Sequence, residues 1–297
     1  MSRELWPRGL MTALLTPMRD DRVNPDVIPA MVQRQADAGV AGIVVGGGTG
    51  EFGALDLDER RLMAEATVAA AGSRIPVIVQ TGTLATRDAV TLTEHAQTAG
   101  AAGIMLASPF GEPVSWRERV AFYRTLNDST DLPIMLYNTG SAGIMTVDQI
   151  TELAELPQVS AVKDSSGDLV AGSDLVEWAA RNDFAAYLGI DSLLLHGLHA
   201  GAHGAVLGSG NLVPRVLSGL VDDVFSGNVR ERWTVIRAML RYLEESDNYV
   251  SLVKAASRLV GVDAGDVRAP FVMPSAAVLE EFAPLLRAAD ELTRVNA

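Results

Sequence analysis

Short apolar runs recur along this chain at regular intervals, each followed by a longer stretch in which apolar residues return every three or four positions. The runs are Leu10–Thr16, Gly42–Val45, Ile75–Gln80, Gly103–Ala107, Leu132–Tyr137, Val159–Lys163, Ala185–Gly189 and Gly204–Leu207. Their length and β-branched content predict buried strands, and the intervening Asp56–Ala71, Thr86–Ala99, Trp116–Leu126 and Asp168–Ala180 carry a helical period. Asn24-Pro25, Thr86 and Thr146 stand where N-caps are expected, and Ala38-Gly39 and Ala99-Gly100 read as helix ends with a left-handed glycine. Strands that alternate with helices form a parallel sheet with right-handed crossovers. Eight such units predict an α/β fold, a closed (β/α)8 TIM barrel. After Pro214 the strand pattern stops, and Arg215–Phe225, Arg230–Glu245, Tyr249–Val260 and Ser275–Arg294 read as helices. The predicted organisation is therefore a barrel over residues 1–222 and a C-terminal helical extension over residues 223–297.

Charge and composition narrow the partners. The formal net charge is −13, with no dense basic run, which speaks against nucleic acid and anionic membranes as partners. The stretch Ser192–Pro214 has no formal charge, but three histidines and several glycines interrupt it, so it does not read as a membrane span. The chain has no cysteine, which fits a cytoplasmic protein and excludes thiolate chemistry.

In a barrel of this kind the chemistry sits at the C-terminal ends of the strands. Those ends are Thr16, Gly46–Glu51, Gln80-Thr81, Ser108, Tyr137-Asn138, Lys163-Asp164, Asp191 and Gly208-Ser209. Lys163 is the most informative of them. It closes the apolar run Val159-Ser160-Ala161-Val162, where an ammonium must be hydrated or paired. Such a lysine ordinarily snorkels to solvent. Desolvated, it becomes a neutral amine able to attack a carbonyl. Tyr137, at the end of Leu132–Leu136, is either a core tyrosine or a phenol that relays protons to that amine. The turn Gly46-Gly47-Gly48-Thr49-Gly50-Glu51 lacks the Gly-Lys-Ser/Thr ending of a P-loop. Its glycines leave backbone N–H groups free to face an anion, and Thr49 adds a hydroxyl. His196, His199 and His203 lie close in sequence, but no carboxylate stands among them to complete a metal site, and none is assigned.

The ordered set Leu15-Thr16-Pro17, Gly48-Thr49-Gly50-Glu51, Tyr137-Asn138, Val162-Lys163-Asp164-Ser165-Ser166-Gly167-Asp168, Gly189-x-Asp191, Gly208-Ser209-x-Asn211 and Val267-Arg268-Ala269-Pro270 resembles the dihydrodipicolinate synthase / N-acetylneuraminate lyase family of class I aldolases. The resemblance covers essentially the whole chain. It implies that Lys163 forms a Schiff base with a 2-oxo acid, usually pyruvate, and that Tyr137 transfers protons. Gly48 and Thr49 then hold the substrate carboxylate, Asp191 and Ser209 fall where sugar-acid members bind distal hydroxyls, and Gly208 belongs to the same substrate-binding set. It implies no metal or organic cofactor, a small-molecule 2-oxo acid as partner, and a homo-oligomer, tetramer or dimer.

Three positions depart from the synthase pattern. Gly48 stands where synthases carry a relay hydroxyl, Gly111 where they carry a tyrosine that reaches a neighbouring subunit, and Thr139–Gly143 lacks the arginine that grips a second substrate's carboxylate. These departures argue against lysine biosynthesis. The Gly47–Phe52 turn resembles the family's sugar-acid dehydratases, whereas the Lys163 loop is more like its aldolases. The expected activity is a metal-independent lyase of the 2-oxo-3-deoxy sugar acid aldolase or dehydratase type. The alternatives are a 4-hydroxy-tetrahydrodipicolinate synthase with an altered relay, joining pyruvate to aspartate semialdehyde, and a non-catalytic sensor of keto acids.

Overall fold

In the computed structural model, which describes residues 3–226 and 229–292, the eight apolar runs are parallel strands closed into one barrel. In chain order they are β1 (Gly9–Ala13), β2 (Gly42–Val45), β3 (Val77–Gln80), β4 (Gly103–Ala107), β5 (Ile134–Thr139), β6 (Val159–Ser165), β7 (Ala185–Leu188) and β8 (Gly204–Leu207). Each pairs with its sequence neighbours, and β1 closes the ring by pairing with both β2 and β8. Helices α1 (Ile28–Asp37), α2 (Leu57–Ala71), α3 (Thr86–Ala99), α4 (Trp116–Asp128), α5 (Val147–Leu153), α6 (Leu169–Arg181), α7 (Leu194–Ala200) and α8 (Pro214–Ser226) follow the strands in turn. Three more helices extend the chain: α9 (Arg230–Glu245), α10 (Tyr249–Ser257) and α11 (Ala276–Glu291). The predicted end of the last helix, Arg294, lies outside the described residues.

The twofold alternation of a strand sorts its side chains between two cores. Met11, Val44, Ile78, Met105, Met135, Ala161, Ala185 and Val206 point into the barrel and pack with Trp6 and Tyr187. Their strand neighbours, such as Ile43, Ile104, Leu136 and Val162, face outward onto the helices. Both faces are buried, which is why the strands read as continuous apolar runs. Trp6 plugs the end where the strands begin. It is 3% exposed, its indole Nε1 donates to Ser160 Oγ at 2.9 Å, and its carbonyl meets His203 Nε2 at 2.9 Å.

Helix starts differ in part from expectation. Thr146 caps α5 as predicted, in a reciprocal box with Gln149. Thr86 does not cap: it is the first helical residue, and Ala85 occupies the cap without a side-chain bond. Asn24 likewise makes no side-chain cap bond, and Pro25 behind it opens a short 3-10 turn. Gly39 and Gly100 take the expected left-handed conformation, at φ 71° and 88°. The first run ends earlier than predicted, and Thr16 lies beyond the strand. A two-residue hairpin, Met18–Arg19 against Arg22–Val23, follows it. Its turn residues Asp20 and Asp21 have φ of 52° and 59°, a conformation aspartate tolerates better than most residues.

Candidate active site

Strand alternation brings Lys163 and Tyr137 together. Tyr137 and Lys163 are register partners on β5 and β6 and share the inward parity of Met135 and Ala161. The amine stands 4.5 Å from the centroid of the Tyr137 ring, a cation–π distance. Lys163 is 5% exposed, and among the described residues no carboxylate forms an ion pair with it. Burial pushes the Tyr137 phenol up, but the Lys163 charge and the nearby Thr139 and Ser165 hydroxyls outweigh it and bring the phenol below its ordinary value. A phenol so placed releases and recovers a proton readily.

The next residues along, Asn138 and Asp164, have the opposite parity and point away from the mouth. Asn138 Nδ2 donates to Asp164 Oδ1 at 2.7 Å, and Asn138 Oδ1 accepts from the Met145 N–H at 2.8 Å, tying the loop after β5 to β6. Burial raises the Asp164 carboxyl, opposed by hydrogen bonds from Ser166 and Asn138. Ser108 is similarly spent on Tyr123, with 3.1 Å between the hydroxyl oxygens, and Thr81 accepts from Thr93 at 2.8 Å. These rim positions therefore hold the frame.

The glycine-rich turn approaches from β2. A Cβ added to Gly48 would lie 3.6 Å from the Tyr137 hydroxyl, so a side chain here would meet the phenol directly. Glu51 ends the turn in a left-handed conformation, φ 58°, with 2% of its surface exposed. Lys254 of α10 donates to Glu51 Oε1 at 2.6 Å, both side chains fully covered, and the Arg268 N–H donates to Oε2 at 2.9 Å. Burial lowers the Lys254 ammonium below its ordinary value despite the opposing pull of Glu51. Thr16 Oγ1 donates to the Gly50 carbonyl at 2.6 Å.

Gly189 and Gly208 allow close approach where no side chain fits. A Cβ on Gly189 would stand 2.8 Å from Lys163 Cε, and one on Gly208 would lie 2.7 Å from the Tyr249 ring and 2.8 Å from Thr49 Oγ1. Asp191 and Ser209 meet each other: the serine hydroxyl donates to Asp191 Oδ1. Tyr249, at the start of α10, donates to Asp191 Oδ2 at 2.7 Å. Burial pushes the Asp191 carboxyl up to about 6, helped by Glu244 and opposed by Ser209, Tyr249 and Lys163. Asn211 Nδ2 donates to the carbonyls of Ala13 and Gly208 at 2.8 and 2.7 Å, fixing the β1–β8 seam beneath these groups.

Thus Lys163, Tyr137, Gly48, Thr49, Asp191, Gly208 and Ser209 surround one end of the barrel. Tyr249 and Lys254, the partner of Glu51, are not legible in the same way. A signal existed for Lys254, a lone lysine inside Leu252-Val253-Lys254-Ala255-Ala256, the pattern that drew attention to Lys163. Gly111 lies apart, at a cleft of about 370 Å³ lined by Pro109–Val114 and Ser141–Gly143. Arg119 of α4 reaches that loop, with Nη1 donating to the Gly143 carbonyl at 3.0 Å, so a guanidinium does come to Thr139–Gly143, from another element. His196 and His199 are exposed on α7, while His203 faces the barrel floor, so the three histidines do not converge. Among the described residues no helix is long and apolar enough to cross a membrane.

Comparison with known proteins gives a consistent picture. The model of the Dihydrodipicolinate synthetase family matches residues 6–289. The 4-hydroxy-tetrahydrodipicolinate synthase 1 of Halalkalibacterium halodurans is 33% identical over 268 residues, 89% of this chain and 90% of that protein. The corresponding synthase of Methanosarcina mazei is 32% identical over 285 residues, covering 94% and 97%. Among solved structures, the synthase from Methylacidiphilum fumariolicum SolV superposes with a TM-score of 0.91 at 28% identity, covering 97% of this chain and 98% of that one. YagE, a prophage protein of E. coli K12 solved in complex with pyruvate, gives 0.88 at 26% identity, covering 95% and 98%.

Proposed function

Because the chain belongs to the dihydrodipicolinate synthetase family, whose members are metal-independent Schiff-base lyases and synthases acting on keto acids, we propose that it cleaves or dehydrates a 2-oxo-3-deoxy sugar acid through an imine on Lys163. The Lys163 nitrogen adds to the 2-oxo carbon, and water leaves as the C=N bond forms. Tyr137 carries the protons: it passes two in turn from the nitrogen to the oxygen, which departs as water and leaves the protonated imine. The Gly48–Thr49 turn holds the 1-carboxylate. The protonated imine then accepts the electron pair released when the C3–C4 bond breaks or a C3 proton leaves, and hydrolysis frees the product. In the cleavage mode that product is pyruvate.

The observation that carries this reading is Gly48. Its missing side chain would have faced the Tyr137 hydroxyl at 3.6 Å, so the phenol has no partner hydroxyl from this turn. A condensation that passes protons through such a pair loses its second member, whereas cleavage of a hydroxylated substrate can use the substrate's own hydroxyl. A second reading, 4-hydroxy-tetrahydrodipicolinate synthase, is favoured by the activity that the relatives' names carry. A keto-acid sensor would keep the imine and lose turnover. We further propose that the site works in a homo-oligomer, tetramer or dimer, in the cytoplasm.

Borohydride reduction in the presence of pyruvate tests the mechanism: a stable adduct on the Lys163 peptide is expected, and none would sink it. A panel of 2-oxo-3-deoxy sugar acids, and of pyruvate with aldehydes including aspartate semialdehyde, separates the readings. Pyruvate release or dehydration from the sugar acids supports the lyase. Condensation with the semialdehyde alone supports the synthase, and trapping without turnover supports the sensor.

A further inference from the structure

One arginine stands in the apolar stripe of α2. Arg60, Met63, Ala64, Thr67 and Ala71 recur at helical spacing and are all buried, Arg60 to 6% exposure. From the first turn of the helix its guanidinium reaches the end of β3. Nη2 donates to the Gln80 carbonyl at 2.8 Å and to the Gln80 side-chain Oε1, and Nη1 donates to the Gly82 carbonyl at 3.2 Å. The Phe52 ring covers it, with 5.6 Å between the guanidinium carbon and the ring centroid. Every acceptor here is a neutral oxygen, which satisfies a donor without cancelling the charge behind it.

Two other cations that support this end of the barrel are neutralised: Lys254 by Glu51, and Arg268 by Glu59 and Asp21. Among the described residues no carboxylate forms an ion pair with Arg60. Burial lowers its guanidinium to about 10, and no neighbouring carboxylate opposes that fall, so the charge persists at neutral pH. Two buried donors, Arg60 Nε and Gln80 Nε2, also have no acceptor. A buried charge left without a counter-charge is costly. Short contacts show where a counter-charge would be felt. Gly46, the first residue of the glycine-rich turn, would carry a Cβ 3.7 Å from the same Gln80 carbonyl that Arg60 holds. Phe52, which covers the guanidinium, donates its own N–H to the Gly47 carbonyl at 3.4 Å. Arg60 thus backs the turn from Gly46 to Phe52, on which Gly48 faces the Tyr137 hydroxyl.

Resting on the keto-acid reading above, we propose that the unpaired charge of Arg60 determines specificity for an ionised acid, attracting the substrate carboxylate through the Gly46–Thr49 turn without touching it. The backbone N–H groups and the Thr49 hydroxyl of the turn offer hydrogen bonds but no net charge, and Arg60 supplies that charge from behind. A unit charge several ångströms away across protein strengthens binding of an anion about tenfold and leaves a neutral ketone unaffected.

Calorimetric affinities for pyruvate and for its uncharged methyl ester test this, compared as a ratio so that the bulk of the ester cancels between variants. Arg60→Gln is expected to lower the preference for pyruvate about tenfold, with the ester bound as in wild type. Arg60→Lys keeps a charge but loses the fork onto Gln80 and Gly82, and should hold the ratio within about threefold of wild type. An unchanged ratio in Arg60→Gln overturns the inference, whether both ligands weaken, as for a purely structural arginine, or neither does. Should Arg60→Gln not fold, Arg60→Lys decides alone: a ratio within about threefold supports the charge, and a larger fall refutes it. Borohydride trapping with pyruvate on the same samples reads the imine separately. An unchanged ratio with intact trapping condemns only the role of Arg60, and a lowered ratio without trapping in wild type condemns only the imine.

Discussion

Lys163 and Lys254 are both buried among apolar neighbours, and they differ in what faces them. Lys163 ends β6 at 5% exposure, with a tyrosine ring beside it and, among the described residues, no carboxylate in ion-pair contact. Lys254 sits inside α10 at 0% exposure with Glu51 at 2.6 Å. Burial of a lysine therefore specifies no role. An unpaired amine beside a phenol is equipped to react, while a paired ammonium is equipped to hold. In this protein Lys254 grips the turn that the proposed mechanism sets before Lys163: Glu51 closes the turn that begins with Gly46, and Lys254 is bonded to it.

The contrast can be broken at either lysine. Lys163→Ala should remove the borohydride adduct and lower turnover by about a thousandfold or more, since the imine is the electron sink for bond cleavage. Turnover retained in that variant would contradict the assignment. Lys254→Met should act on stability instead. It leaves the Glu51 carboxylate buried without its counter-charge, at a cost of about 3–5 kcal/mol in urea unfolding. Adding Glu51→Gln should recover part of that loss, and a Lys254→Met protein as stable as wild type would show that the pair holds nothing.

The third test concerns Asp191, whose carboxyl lies near 6 because it is buried. A carboxyl raised in the folded state favours folding while it is protonated. Its contribution turns unfavourable as pH rises from about 4, where the unfolded chain releases the proton, to about 6, and is constant above. Across that window wild type should lose about 2 kcal/mol relative to Asp191→Asn, a comparison in which the other carboxylates cancel. Thermal unfolding at pH 4.5 and 7 reads it, and equal pH slopes in the two proteins would refute the shift. The smallest expected effect is Gly48→Ser. The new Cβ would stand 3.6 Å from the Tyr137 hydroxyl, an ordinary contact. The added hydroxyl should speed deuterium exchange at the pyruvate methyl severalfold, measured by NMR. No change would mean that Tyr137 works without a partner on this turn.

What could be read in the sequence followed the range of the interaction. Strand alternation is local, so the strand runs placed Tyr137 and Lys163 on one rim without knowledge of the register between them. The residues that support that rim are paired across long separations: Tyr249 with Asp191, 58 positions away, and Lys254 with Glu51, 203 positions away. No periodicity within either segment encodes such a meeting. Rim position was also a coarser guide than parity. Asn138 and Ser108 end strands just as Tyr137 does, yet one step along a pleated strand turns a side chain to the other face. The cap at Thr86 failed for a comparable reason, because a hydroxyl one residue inside the helix no longer faces the free N–H groups.

Trp6 covers the end of the barrel where the strands begin, opposite the rim that carries Lys163. With the indole bonded to Ser160 and the carbonyl to His203, it is fixed over that floor. For a substrate split in two, a covalent bond at the rim imposes a queue. In the proposed cleavage the fragment not attached to Lys163 is free to depart first, while the fragment held as an imine must wait for hydrolysis. Product inhibition should carry that signature: pyruvate competes with substrate for the free amine, and the other fragment does not.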